Sequence, residues 1–207
     1  MPRSVQGQIL ARVRANRPRA VFVPADFLDL GSRAAVDQTL SRLVRAGFLR
    51  RVARGIYDRP RHHPRLGALS PSLPLVAAAI ARSTGSQLQV SGLLAANQLG
   101  VSTQVPARLA YLTDGPTRAI RVGSRMIEFR HASPRTLTGA GTAAGVVIQA
   151  LRYLGRSGVT PEVVARVREA LRHDDRSAVQ RYVSRAPAWM RPPLLAIARR
   201  GRRARAG

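Results

Sequence analysis

Residues 31–59, GSRAAVDQTLSRLVRAGFLRRVARGIYDR, constrain this chain more than any other stretch. Val36, Leu40, Leu43 and Val44 recur at helical spacing and form a single apolar stripe. Ser32 stands where an N-cap belongs, and Gly47 where a helix-ending glycine belongs. The opposite face presents Ala34, Gln38, Ser41, Arg42 and Arg45, with Arg33 at its start and Asp37 off to one flank. Phe48 to Ala53 then reads as a strand, Arg54-Gly55 as a turn, and Ile56-Tyr57 as the return strand.

A helix face that is small, polar and arginine-bearing can enter a major groove without steric conflict. Gln38 has the amide for a bidentate contact to adenine, and Arg42 the fork for guanine. Arg50, Arg51 and Arg54 on the adjoining hairpin are placed to grip neighbouring phosphates or the minor groove. Each element alone is an ordinary solvated surface. In the order helix, glycine, basic hairpin they predict a winged helix-turn-helix. The residues before them fit that order: a helix over 4–16 with Val5, Ile9 and Val13 on one face, an apolar segment at Val21 to Val23, and a short helix opened by Pro24.

Charge points the same way. The 207 residues carry a formal net charge of +25, and all 35 basic residues are arginine. Arginine's planar fork suits phosphate and guanine better than a lysine point charge does. The excess is spread along the chain: residues 1–66 hold 14 arginines and four acids, residues 67–207 hold 21 and six. Such a surface favours a polyanion, so nucleic acid is the expected partner and the second half is expected to touch it too.

Downstream, RHHPRLGALSPSLP is proline-rich with no helical period and reads as a linker over 61–74. A mixed domain follows over 75–199. Leu75 to Arg82 reads as a helix, QLQV at 87–90 as a strand, SGLLAANQLG at 91–100 as a helix and Ala107 to Thr113 as a strand. RAIRV-GS-RMIEF is a hairpin with Gly123 first in a two-residue loop. Helices are expected at about 142–155, 161–172, 175–184 and 188–199, and a basic disordered tail at 200–207. The fold class is therefore α/β (α+β): a winged helix over 1–60, the linker, then the larger domain.

Other chemistries find little footing. No cysteine is present, which removes disulfides and thiolate metal sites and fits a reducing cytosol. The start, MPRSVQGQIL, lacks the apolar core of a signal peptide, and the apolar runs near 75–81 and 143–151 are too short to cross a bilayer. No membrane role is expected, and a nucleoid-associated cytoplasmic location is. Asp114, Glu128 and Arg130 imitate a metal-nuclease pattern, but arginine stands where lysine would be and cannot act as a base. GAGTAAG at 139–145 lacks the Lys and Ser/Thr of a phosphate loop. His62, His63, His131 and His173 form no credible triad or metal set. No catalytic residue, metal or cofactor is expected.

Residues LRRVARGIYDRP, HPRLGALSP and above all SGLLAANQLGVSTQVPARLAYLTDGPTRAIRVGSRMIEFRHASPR resemble the AbiEi-type antitoxins of bacterial type IV toxin–antitoxin and phage-defence systems. The resemblance reaches to about residue 200. It implies an N-terminal DNA-binding domain joined to an antitoxin domain. It further implies repression of the chain's own operon through inverted repeats, and action against a nucleotidyltransferase-like toxin. On DNA the chain would be a monomer or a DNA-induced dimer. The antitoxin part yields no residue roles, although Ser91, Asn97, Ser102, Thr103 and Gln104 make up its most polar motif. The alternative is an RNA- or ribosome-associated module containing a winged helix. Its weakness is the 4% aromatic content, since single-strand readers use aromatic platforms.

Overall fold

The computed structural model describes residues 4–16, 20–60, 62–65, 67–104 and 108–199; the expected tail lies outside them. Eight α-helices and three small sheets among these residues make a mixed α/β architecture. The chain divides into two compact units, Met1–Ser86 with Ala119–Ile127, and Gln87–Arg118 with Glu128–Gly207. No helix among the described residues is long and apolar enough to cross a membrane.

In the first unit, Ser4 caps α1 (Val5–Ala15) by accepting a bond from the Gly7 amide at 3.2 Å. The strand β1 (Val21–Phe22) leads into a 3-10 turn, Pro24–Phe27, whose Asp26 carboxylate accepts the Val23 amide at 2.9 Å. Helix α2 (Arg33–Arg45) follows, capped by Ser32, then the hairpin of β2 (Arg50–Ala53) and β3 (Ile56–Asp58). β3 lies in the middle of an antiparallel sheet ordered β1-β3-β2. The expected stripe of α2 faces inward: Val36, Leu40 and Leu43 are buried with Ile9, Val13, Phe22, Phe27, Leu49 and Tyr57, and Val44 packs at the edge. Phe48, expected in the strand, is instead exposed, with the Arg14 guanidinium 5.7 Å from its ring centroid.

The first unit continues past the point where a linker was expected. Residues 61–74 contain a two-stranded ladder, β4 (His62–His63) with β5 (Gly67–Ala68). Helix α3 (Leu73–Thr84) then buries Leu73, Val76, Ala77 and Ile80 and packs on β1 and the 3-10 turn. Arg82 near its end donates to the Val21 carbonyl at 3.1 Å and to Asp26 at 3.3 Å. The division thus falls at Ser86, because the apolar face of α3 finds its cover in the first unit.

The second unit begins with β6 (Leu88–Val90) and α4 (Gly92–Gln98), followed by β7 (Leu109–Thr113). β6 and β7 pair antiparallel, and β8 (Arg118–Val122) and β9 (Arg125–His131) form a hairpin whose segment Ala119–Ile127 falls with the first unit, β9 running on from Glu128 into the second. Gly123 takes φ +61°, as the first position of a primed two-residue turn requires. Of the residues whose alternation marks this hairpin, Val122, Ile127 and Phe129 are buried, Ile120 is only half-buried, and Arg121 and Arg130 are exposed.

Four helices complete the unit: α5 (Ala143–Gly158), α6 (Pro161–Ala170), α7 (His173–Gln180) and α8 (Arg191–Ala198). Their core joins Val147, Ile148 and Leu151 of α5 to Ala95, Val167, Val179, Leu194 and Ile197. α5 breaks at Gly155, where φ +69° and ψ 171° leave the helical region, so the expected end at 155 holds for its regular part. The last helix is shorter than expected. A 3-10 turn, Ala188–Met190, precedes α8, and Pro192 and Pro193 fit only its first turn, where amides need no partner.

The glycine-rich stretch 139–145 acts as the seat of α5. Gln89 of β6 is buried and accepts the Gly141 amide at 3.3 Å. A Cβ on Gly145 would come within 2.2 Å of the Gly139 carbonyl oxygen and 2.5 Å of Gln89 Oε1. Backbone and buried amide occupy that space, so Gly145→Ala should destabilise by about 1–3 kcal/mol or more. Gly7 in α1 meets only Ser4 Oγ at 3.5 Å, so Gly7→Ala should stabilise by up to about 1 kcal/mol. Urea unfolding of the two variants checks the pair, which must shift in opposite directions.

Candidate nucleic-acid interface

Ser32 Oγ accepts the Ala35 amide at 3.3 Å and starts α2. At the other end Gly47, with φ +73°, sends its amide to the Val44 carbonyl at 3.0 Å, and the Phe48 amide returns to Leu43 at 3.0 Å. This closure satisfies carbonyls at the helix end and directs the chain into the hairpin. Between the two ends Arg33, Ala34, Gln38, Ser41, Arg42 and Arg45 are all exposed. Asp37 does not stand free on this face, because Arg33 Nε binds its Oδ2 at 2.8 Å. Among the described residues, the side chains of Gln38, Arg42 and Arg45 have no hydrogen-bond or ion-pair partner.

On the hairpin the three expected arginines part company. Arg51 and Arg54 are exposed, with Arg54 beside Gly55 at the turn, where φ is +70°. Arg50 is bound instead. Its Nε and Nη2 grip the Asp58 carboxylate at 2.9 and 2.6 Å, and Nη2 also reaches the Leu69 carbonyl at 2.8 Å. Asp58 is only 5% exposed and faces Arg50 directly across the ladder, so Arg50 serves to neutralise a buried acid. The hydrogen bond to Asp58 raises the Arg50 pKa, and the guanidinium stays charged. Through Nε and Nη2, Arg50 therefore belongs to the hairpin's internal structure.

The second unit holds a basic cavity that the sequence did not mark. It measures about 510 Å³ and is lined by Ser91, Gly92, Arg108, Glu128, Arg130 and Tyr153, with Leu93 and Ala110. Glu128 accepts Arg108 Nη1 at 2.9 Å and Arg130 Nη2 at 2.8 Å. Those two bonds, Arg108 first, hold its carboxyl below the ordinary glutamate range. Tyr153 donates its hydroxyl to Gln104 Oε1 at 2.8 Å. The polar motif 91–104 is partly internal: Asn97 donates to the Gln104 carbonyl, and Ser102 accepts the Gln104 amide at 3.2 Å. Ser91 stands at the N-cap of α4 without a side-chain capping bond.

The pieces of the nuclease-like pattern have other partners here. Asp114 accepts the Gln87 amide at 2.8 Å, and Glu128 holds the two arginines. Among the described residues no group of three His, Asp or Glu side chains is arranged for a metal.

A model for a "Family of unknown function (DUF6088)" matches residues 8–179. A crystal structure of the RV2827C protein from Mycobacterium tuberculosis is similar, with 14% sequence identity and a TM-score of 0.41 over 95% of this chain and 81% of that one. No curated protein matches the chain.

The two classes of hairpin arginine separate in a stability measurement. Arg50→Ala leaves the buried Asp58 carboxylate unpaired and should lower unfolding free energy by about 1–3 kcal/mol. Arg51→Ala, at an exposed site, should change it by less than about 0.5 kcal/mol. Equal effects on the urea midpoint would show that the fork is not structural.

Proposed function

We propose a function for a chain that belongs to the DUF6088 family of unknown function: it is a winged-helix, duplex-DNA-binding regulator. α2 is the helix that enters the major groove, and the β2–β3 hairpin is the wing. The carrying observation is the outward face of α2. Its one acid is tied to Arg33, its centre is small and polar, and Gln38, Arg42 and Arg45 have donors to offer. Gln38 and Arg42 are assigned to base edges and Arg45, Arg51 and Arg54 to phosphates. Operator DNA with inverted repeats would be met by a monomer at each half-site or by a dimer formed on the duplex.

The resemblance of residues 91–134 to AbiEi-type antitoxins extends this reading to an antitoxin that represses its own operon and counters a nucleotidyltransferase-like toxin. Nucleoid association would follow from the DNA binding. The RNA- or ribosome-associated alternative is separated by a gel shift that sets the upstream intergenic duplex against total tRNA.

In that assay Gln38→Ala and Arg42→Ala should each cost roughly 1–3 kcal/mol on the operator and little on random duplex. Arg51→Ala with Arg54→Ala should weaken all duplexes and flatten the salt dependence by about one unit of slope per lost contact. Equal losses on both DNAs would reduce Gln38 and Arg42 to phosphate contacts, and tRNA outcompeting the duplex would replace the DNA reading. The antitoxin half is tested by co-expression with a nucleotidyltransferase encoded beside the gene. The full chain should relieve growth arrest, and persistent arrest at matched expression would leave only the regulator.

A further inference from the structure

The cavity of the second unit joins three features that the packing of the fold does not require. The first is a pair of guanidiniums held in place. Glu128 has 16% of its side chain exposed, and each of its oxygens is taken by one arginine. The carboxylate therefore acts as an anchor, and the group as a whole carries one net positive charge. The second is availability. The Arg108 and Arg130 side chains are 70% and 63% exposed, and each spends one N–H on Glu128. An arginine has five such donors, so most remain for a ligand. Exposed ion pairs of this kind add little to stability.

The third is an aromatic wall. A Cβ on Gly92 would fall 2.6 Å from Tyr153 Cβ and 3.1 Å from the Gln149 carbonyl oxygen. Glycine at 92 is what lets Tyr153 sit against α4. The bond from its hydroxyl to Gln104 fixes the far end of the ring, and the residue remains 41% exposed. A large aromatic is thus fixed at both ends and yet left open to the cavity. The volume, about 510 Å³, lies inside the range of small-ligand sites, roughly 300–1,000 Å³.

We propose that this cavity binds a nucleoside phosphate, with the phosphate on Arg108 and Arg130 and the base against the Tyr153 ring. Fixed guanidinium forks select a tetrahedral oxyanion, and an aromatic face selects a planar base. A base inside a duplex has both faces covered by its neighbours, so the ligand is unpaired. It is either a free mononucleotide or the phosphorylated end of a single strand. The inference is independent of duplex recognition by α2.

The test uses the full chain with adenosine 5′-monophosphate, adenosine, inorganic phosphate and a 5′-phosphorylated adenosine dinucleotide as probes, measured by calorimetric titration. The monophosphate should bind saturably, and adenosine about tenfold more weakly for want of the charged contacts. Arg108→Gln and Arg130→Gln are made singly so that Glu128 keeps one partner; each should weaken the monophosphate by about tenfold. Tyr153→Leu should weaken it by about fivefold or more while leaving inorganic phosphate unchanged, and Tyr153→Phe, which keeps the ring, should stay within about twofold. Arg42→Ala should have no effect here, which keeps this result distinct from any failure of the duplex reading. Tighter binding of the dinucleotide assigns the strand end, and tighter or equal binding of the monophosphate assigns the free nucleotide. The proposal is overturned if neither phosphorylated probe saturates the wild-type chain, or if both arginine variants bind as it does.

Discussion

Carboxylates are scarce in this protein, and their placement decides what every arginine can do. Ten acids face 35 arginines, and the four acids before Ser86 are each bound to a different guanidinium. Asp26 takes Arg82, Asp29 takes Arg12 through two contacts of 2.7 Å, Asp37 takes Arg33, and Asp58 takes Arg50. The exposed pairs are weak individually, with surface ion pairs worth about 0–1 kcal/mol. Asp58 is the exception, because a buried carboxylate without its fork would be left uncompensated. The pairing sorts the surface: bound arginines hold α1, the 3-10 turn, α3 and the hairpin, while Arg42, Arg45, Arg51 and Arg54 keep their donors. The second unit repeats the device with one acid for two arginines at Glu128. A positive surface arranged in this way repels itself and is relieved by a polyanion.

Much of the first unit was legible because its signals are local. Val36, Leu40 and Leu43 declare the inward face of α2 by spacing alone, and Ser32 and Gly47 mark its two ends. The alternation of Val122, Ile127 and Phe129 did the same for the β8–β9 hairpin. What could not be read was pairing at a distance. The role of Arg50 depends on its register with Asp58 across a ladder that shifts between Arg51 and Ala53. The attachment of α3 depends on Arg82 meeting Val21 and Asp26, some 60 positions earlier, as separations of 61 and 56 attest. The sequence marked a helix over Leu75 to Arg82 and could not say which unit would cover it.

The second-unit cavity was hidden for the same reason. Arg108 lies just before β7, Glu128 on β9 and Tyr153 on α5, and no window of sequence holds them together. Glu128 and Arg130 were visible as a pair on one strand face, where Arg108 turns an apparent catalytic fragment into an anchored cationic one. One clue was present in Gly92, a glycine at the start of a helix with no turn to explain it. Its meaning appears only when Tyr153 is seen to occupy the space that a Cβ would need. Gly145 is a parallel case, required by backbone approach in a glycine-rich stretch that the sequence shows to be no phosphate loop.

The closure of α2 has a mechanical consequence. Helix ends ordinarily fray, since their last carbonyls lack partners. Here three consecutive amides, those of Gly47, Phe48 and Leu49, fold back onto the Val44 and Leu43 carbonyls, and Leu49 is buried beneath them. The hairpin is therefore a stiff continuation of the helix, and tilting one moves the other. In the duplex-binding role proposed for it, an element closed in this way would meet DNA already ordered, so little chain entropy would be lost on contact. The separation between the helix face and the arginines at the hairpin tip is set before any partner is met. In that proposed role a surface with the wrong spacing would be refused by geometry, even where its charge attracts.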